Sequence, residues 1–208
     1  MHAVLNKLLG LFRKAPPIDS LSALDDFLDR HAAFNAQKCI VEYARARAGV
    51  LATKLFKEEA FMAAVNHARW HGYTVTLNHM CEMVDAALRD EAGERRLAVL
   101  EGLMGCVDRI IARYEIPPGE PASFWLHARD TIAKRMAHVG LRPPRKVKDI
   151  PLDTVQQIFD VLPIHRSLRG HDYELVQNNL RGNLIRAYET FVARAERQRL
   201  VQLLGAGK

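Results

Sequence analysis

The stretch EEAFMAAVNHARWHGYTVTLNHMCEMVDAALR, residues 58–89, decides the fold of this chain. At about 100° per residue, its apolar and polar side chains fall on opposite sides of a helix, so it predicts a long amphipathic helix. Gly72 and the β-branched Thr74-Val75-Thr76 have low helix propensity, so the stretch is compatible with one helix or with two. The apolar side carries Met62, Val65, Leu77, Met80 and Val84.

Helical periodicity continues on both sides of this stretch. Asp19 or Ser20 is a good N-cap for a helix that ends near residue 33, and another helix is expected over residues 34–55. No stretch alternates as a strand would, and no repeat period recurs. The sequence therefore predicts an all-α fold, an irregular bundle of about seven helices with no sheet. The remaining helices are expected at residues 94–114, 122–139, 151–162 and 172–204.

Two helix ends carry specific capping predictions. Gly140 is placed for a left-handed C-cap, with Leu141 for the accompanying apolar contact and two prolines after it. Asp172, after Gly170, is expected to cap a long final helix that runs to about Leu204.

The N-terminal segment is expected to form its own unit. The sequence predicts two parts: residues 1–17, a short amphipathic helix with a Pro-Pro hinge, and residues 18–208, a single helical domain. The helix either lies in a membrane interface or docks on its own domain or on a partner subunit, and we favour docking. Its apolar side carries Leu5, Leu8, Leu9 and Phe12.

Composition limits the cellular locations that we expect for this protein. Charged residues interrupt every apolar run, so none approaches the roughly 18 residues that a membrane-spanning helix needs. Cys39, Cys81 and Cys106 are odd in number and far apart, which indicates reduced core thiols. We therefore expect a cytoplasmic protein, with peripheral membrane contact through residues 2–14 as the alternative.

Net charge is distributed unevenly along the chain. Residues 1–128 carry 15 Lys and Arg against 16 Asp and Glu, whereas residues 129–208 carry 15 against 8, and the whole chain has a formal charge of +6. A basic surface concentrates anionic partners such as phosphates, acidic proteins or lipid headgroups. The last third is therefore where we expect a binding surface.

Two segments supply that basic surface. A loop held extended by prolines carries the densest basic cluster, and the last helix has a face of Arg, Asn and Thr without an acidic residue. If the loop folds back beside the helix, the two form one patch. The predicted binding residues are Arg142, Arg145, Lys146, Lys148, Asn179, Asn183, Arg186, Arg194 and Arg197.

The last helix also contains residues with low helix propensity. Asn178, Asn179, Gly182 and Asn183 fall within six residues, at about 0.5–1 kcal/mol each relative to Ala. Either Gly182 allows a ligand or another backbone to approach, or the helix kinks or restarts there.

Short catalytic signatures are absent from the sequence. It has no GxSxG elbow, no GxxxxGK[ST] loop, no HExxH and no Glu-x-x-His pair. His171-Asp172 fails as the centre of an HD phosphohydrolase site, because that family needs a further Asp downstream and Asp172 is the last one. No catalytic residue, cofactor or metal ligand is assigned on this basis.

One histidine pair remains as a metal candidate. His67 and His71 are four residues apart and lie on one helix face, with Asn78, Glu82 and Asp85 aligned below them on a continuous helix. The alternative, which we favour, is the polar side of an amphipathic helix.

These observations leave three functions open. We expect a non-catalytic helical binding or adaptor protein whose basic C-terminal surface meets an acidic partner or an anion. The first alternative is a nucleic-acid-binding protein that uses the same surface on phosphates, although no helix-turn-helix is recognisable and the basic cluster holds no aromatic side chain. The second is a metal-dependent helical enzyme that uses His67 and His71.

Overall fold

The computed structural model describes residues 15–143 and 145–206, and within these ranges the protein is an all-α bundle without a β-strand. Seven of its helices have seven or more residues, in agreement with the sequence. Within these ranges, Ile18 and Ala195 form an isolated parallel β-bridge. The helices are α1 Leu21–Gln37, α2 Tyr43–Ala48, α3 Ala52–Leu55, α4 Glu59–Ala92, α5 Arg96–Ile111, α6 Phe124–Gly140, α7 Val155–Val161, α8 Arg166–Arg169, α9 Tyr173–Arg194 and α10 Arg197–Gly205.

Helix α4 is one uninterrupted helix of 34 residues and packs against α1, α5, α6, α7, α9 and α10. The weak point at Gly72 does not break it. A Cβ at Gly72 would lie 2.4 Å from Ile40 Cδ1, so the glycine allows the α1 side of the bundle to approach closely. Every residue from Val75 to Asp85 is buried, so the polar side of α4 faces other helices there instead of solvent.

The first helix ends later than the sequence suggests. Ser20 caps α1 as expected, since its side chain accepts a hydrogen bond from the Ala23 amide at 3.3 Å. The predicted boundary near residue 33 is wrong, because α1 continues through a π-helical turn, Lys38–Glu42, into α2. The helical run ends at Gly49, whose φ of +53° suits glycine.

The capping prediction at Gly140 is also wrong. Gly140 is the last residue of α6, and its φ is not positive. Its small size serves packing instead, because a Cβ there would lie 3.1 Å from Leu100 Cδ1. The carbonyls of Val139 and Gly140 accept hydrogen bonds from the Arg96 guanidinium, which stabilises this helix end.

The predicted final helix is in fact two helices. The Ile18 amide donates to the Arg194 carbonyl at 2.9 Å, and the Ile18 carbonyl accepts from the Glu196 amide at 3.0 Å. This pairing ends α9 before α10 begins. Asp172 precedes α9 without capping it, because its carboxylate accepts hydrogen bonds from Tyr43 and Arg47. Gly182 lies inside α9, and an added Cβ would meet only Arg186 Nη2, at 3.9 Å.

The core extends from Ile18 to Leu204 and includes all three cysteines, which are free and buried. Burial raises the pKa of the Cys39 and Cys81 thiols to about 12, so both stay protonated near neutral pH. Among the described residues, no helix has both the length and the apolar character needed to cross a membrane.

Candidate metal centre and adjoining cavity

Two histidines of α4 point toward the same place at the surface. His67 and His71 lie one helical turn apart, with ring centroids separated by 4.3 Å. Their side chains are 50% and 35% exposed, because this N-terminal half of α4 lies at the edge of the bundle. The pair is therefore accessible from solvent.

A glutamate from another part of the chain completes the cluster. Glu120 ends the turn Pro117-Pro118-Gly119-Glu120, in which its amide donates to the Pro117 carbonyl at 3.1 Å and Gly119 has a φ of +84°. Proline second and glycine third are the residues that a type II turn prefers. The turn holds the Glu120 side chain against α4, where it is only 5% exposed.

Aromatic packing fixes the segment that carries this turn. Trp125, near the start of α6, donates from Nε1 to the Glu115 carbonyl at 3.0 Å and stacks on Tyr114 with centroids 5.7 Å apart. Trp70 of α4 packs edge-on against both rings. The position of Glu120 relative to α4 therefore rests on a partly buried aromatic cluster.

The three side chains converge within bonding range of a single ion. Glu120 Oε1 lies 2.6 Å from His67 Nδ1, and both Glu120 oxygens lie 3.2 Å from His71 Nε2. The three candidate ligand atoms all lie within 4.8 Å of one another. Tetrahedral zinc, with bonds of about 2.0–2.2 Å, separates its ligand atoms by about 3.4 Å, so small movements suffice to bind an ion.

A cavity of about 230 Å³ opens beside His71 and Glu120. It lies between α4, α6 and the start of α7, and its wall combines apolar surface with polar side chains, with no Lys or Arg among the described residues that line it. Its lining residues are His71, Thr74, Val75, Asn78, Glu120, Pro121, Phe124, His127, Ala128, Thr131, Thr154 and Gln157.

Behind the cavity lies a buried histidine. His79 is fully buried, and its Nε2 is 3.2 Å from the hydroxyl of Thr154, which lines the cavity. Burial, with a smaller effect from the positive charge of Arg135, lowers the pKa of His79 to about 3. His79 is therefore neutral at physiological pH and holds Thr154 in place as an uncharged partner.

The polar stripe expected on α4 divides into separate sites. Glu82 pairs with Arg135 at 2.6 Å, and Asp85 pairs with Arg89 and Arg96, so neither carboxylate joins the histidines.

The sequence did not indicate Glu120 as a site residue. The sequence Pro-Pro-Gly-Glu does indicate a rigid turn, but nothing local indicates that this turn meets α4.

The basic loop and the last long helix are neighbours at one point. Arg181 donates to the carbonyls of Lys148 and Ile150, which joins the loop to the N-terminal half of α9. Asn179, two residues before Arg181, is exposed on a different face of α9, whereas Asn183 is buried and accepts a hydrogen bond from the exposed Arg186. Four predicted residues belong to the loop itself: Arg142, Arg145, Lys146 and Lys148.

Two of the predicted basic residues lie elsewhere. Arg194, at the other end of α9, donates to the Pro16 carbonyl at 2.9 Å, and Arg197 belongs to α10 and pairs with Glu91 at 2.8 Å. About 20 Å of helix separates Arg194 from Arg181, at 1.5 Å per residue. The N-terminal residues Leu5, Leu8, Leu9 and Phe12 lie outside the described residues.

Comparison with known proteins adds no functional assignment. No protein-family model matches the chain, and no match was found among curated proteins or solved structures. The function is therefore argued from the geometry of the site.

Proposed function

We propose that this chain is a metal-dependent enzyme whose mononuclear centre is formed by His67, His71 and Glu120. The observation that carries the proposal is the meeting of three ligand atoms from two separate segments beside a cavity. Two histidines and one glutamate are the ligand set of many catalytic zinc sites, in which three protein ligands leave the fourth position to water or substrate. Structural zinc sites have four protein ligands.

The donor types favour a transition metal. Imidazole nitrogen suits zinc, copper, iron and nickel, whereas calcium and magnesium prefer oxygen ligands throughout. An ion held at this position polarises a bound carbonyl or lowers the pKa of a bound water. His67 and His71 supply neutral donors, Glu120 supplies one negative charge, and the adjoining cavity gives a substrate access.

Metal content tests the proposal directly. The protein, purified without chelator and dialysed against zinc, is expected to retain one zinc ion per chain by elemental analysis. His67→Ala, His71→Ala and Glu120→Gln each remove one ligand and are expected to lose most of the bound zinc. Both His67 and the loop that carries Glu120 lie at the surface, so these variants are expected to fold.

Two exposed residues provide matched controls. His138→Ala changes a histidine at the end of α6, and Glu115→Gln changes a glutamate of the same loop that carries Glu120. Both are expected to retain the ion. Zinc content below one equivalent in the wild type, or the same content in all five variants, would rule out the centre.

The basic loop supports a second candidate function, the binding of an acidic protein partner. The observation that favours it is the Arg181 contact, which holds the loop against α9. Among the described residues, Arg142, Arg145, Lys146 and Lys148 form no ion pair. Four unneutralised cations on one short segment attract an acidic partner.

A labelled polyglutamate peptide and a random DNA duplex of similar length separate the two classes of partner. We expect the peptide to bind at low salt and the alanine variant of all four loop residues to bind it less. Tighter and steeply salt-dependent binding of the duplex would indicate nucleic acid instead. Binding of neither probe at low salt would remove this candidate function.

A further inference from the structure

A second cavity, of about 150 Å³, lies where the first described residues meet α1 and the end of α9. Pro16 and Pro17 line it from the segment before α1, Arg30 and His31 line it from α1, and Arg194 lines it from α9. It shares no lining residue with the cavity beside the proposed metal centre.

Positive charge converges on this second cavity. Burial of His31, with smaller effects from the positive charges of Arg30 and Arg194, lowers the pKa of its imidazole. Since both arginines act on the same ring, their charges reinforce each other at the cavity instead of being separated. The lining therefore favours a negatively charged ligand.

The described part of the chain supplies no counter-charge for these two arginines. Asp26 is the one acidic residue in the described lining, and its carboxylate pairs with Arg113 at 2.8 Å. Neither Arg30 nor Arg194 forms an ion pair with any described residue. Residues 1–18 contain no Asp or Glu, so no side chain of the preceding segment neutralises them.

Two of the possible ligand contacts are held in position by the fold. Arg194 donates from Nε to the Pro16 carbonyl at 2.9 Å, which leaves its terminal N–H groups for an acceptor. The His31 ring packs against Phe27 with centroids 4.3 Å apart, and Phe27 packs in turn against the buried Phe191. Hydrogen-bond donors that are already held in place bind a ligand at a lower cost in entropy.

Size and charge together narrow the class of ligand. At about 30 Å³ for a water-sized group, the cavity has room for about five non-hydrogen atoms, as many as a phosphate ion contains. Two uncompensated arginine charges match the charge of about −2 that a phosphate group carries near neutral pH. The planar guanidinium group also matches the geometry of phosphate oxygens. A carboxylate would neutralise only one of the two charges.

We propose that this cavity binds a dianionic phosphate group, either as inorganic phosphate or at the end of a small phosphomonoester. The terminal N–H groups of Arg30 and Arg194 donate to its oxygens, and His31 supplies one further N–H. The bound group joins the segment before α1 to α1 and to the end of α9. This site goes beyond the proposed function and does not depend on it.

Isothermal titration calorimetry at constant ionic strength tests the inference. Sodium phosphate is expected to bind saturably at one site per chain, whereas sodium acetate, a monoanion, is expected to give no saturable heat. Glycerol 3-phosphate distinguishes the two sources of the group, because tighter binding than that of phosphate identifies a phosphomonoester and weaker binding identifies the free ion. No saturable heat from either phosphate compound, or acetate binding as tight as phosphate binding, would overturn the proposal.

Two variants locate the site. Arg30→Gln and Arg194→Gln each remove one positive charge and are expected to weaken phosphate binding by at least about tenfold, the effect of a lost hydrogen bond to a charged group. Arg30 is exposed, so its variant tests the site even if Arg194→Gln, which loses the contact with Pro16, unfolds the protein. Arg45→Gln, at an exposed arginine of α2 outside the cavity, is the control and is expected to bind phosphate as the wild type does.

A further control separates this site from the proposed metal centre. His67→Ala removes a proposed metal ligand and is expected to leave phosphate binding unchanged. Phosphate binding that Arg30→Gln leaves intact, or that Arg45→Gln or His67→Ala weakens as much, would overturn the assignment of the group to this cavity. None of these results bears on whether the metal centre binds zinc.

Discussion

At the scale of single residues, Arg135 is the partner of the buried Glu82 on the polar side of α4. Its side chain is 11% exposed and pairs with Glu82 at 2.6 Å and with Asp153 at 2.8 Å, while it also donates to the Pro151 carbonyl at 2.7 Å. These contacts join α6 to α4 and to the segment before α7. Glu82 is itself buried, so its charge depends on this arginine.

Removal of Arg135 is expected to destabilise the protein strongly. Arg135→Met leaves the Glu82 carboxylate buried without a partner, and we expect the free energy of unfolding in urea to fall by about 3–5 kcal/mol. Arg129→Met is the matched control on the same helix, because the Arg129 pair with Asp108 is exposed and contributes less than about 1 kcal/mol. Equal effects of the two substitutions would contradict the importance of the buried pair.

The buried His79 makes a second residue-scale prediction, on pH dependence. Its pKa is about 3 when folded and near 6.5 in the unfolded chain, so the unfolded chain binds the extra proton between these values. Stability is thus complete above about pH 6.5 and falls by about 1 kcal/mol per pH unit as the pH decreases toward 3.

Comparison of wild type with His79→Asn isolates this effect, because the amide replaces the imidazole without titrating. We expect the difference in unfolding free energy between the two proteins to change across this pH range, in favour of the variant as the pH falls. A difference that stays constant from pH 7 to about pH 4 would show that His79 does not carry this dependence.

The sequence predicted individual site residues only in part. His67 and His71 were found because a spacing of four residues places two side chains on one helix face. Glu120 is 49 residues from His71, and their contact depends on how the loop after α5 packs against α4, which no local pattern reveals. Asn78, which the sequence places on the same side of α4 as the histidines, lies in the cavity wall.

At the scale of elements, the contact between α5 and α10 depends on one glycine. A Cβ at Gly102 would lie 2.4 Å from the Leu204 carbonyl oxygen and 2.8 Å from its Cα. These are backbone atoms, so α10 must shift to accommodate a side chain.

Gly102→Ala is therefore expected to lower the free energy of unfolding by about 1–3 kcal/mol, the usual effect of overpacking. Gly182→Ala is the matched control inside α9, where the space is open, and it is expected to raise stability by up to about 1 kcal/mol through helix propensity. Chemical denaturation measures both. A gain in stability for Gly102→Ala would refute the close approach of α10.

Helices were predictable as elements, whereas several of their ends were not. Amphipathic periodicity and the cap at Ser20 placed most of the helices. The break between α9 and α10 follows from the pairing with Ile18, and the continuation of α1 past residue 33 follows from packing on α4. Both depend on residues distant in sequence, so tertiary contacts override local propensity at these points.

At the scale of the whole molecule, α4 is the axis that joins core and site. Its C-terminal half is largely buried among the other helices, while its N-terminal half carries His67 and His71 at the surface. The loop between α5 and α6 brings Glu120 to these histidines, and α6 and α7 close the adjoining cavity. A metal ion there would link α4 to this loop and stabilise the folded state.

Anomalous diffraction at the zinc absorption edge, from crystals grown with zinc, tests the central claim most directly. We predict one anomalous peak about 2.0–2.2 Å from His67 Nδ1, His71 Nε2 and a Glu120 carboxylate oxygen, with its open side toward the cavity. Absence of a peak at these three residues, in crystals whose zinc binds elsewhere or not at all, would contradict the account.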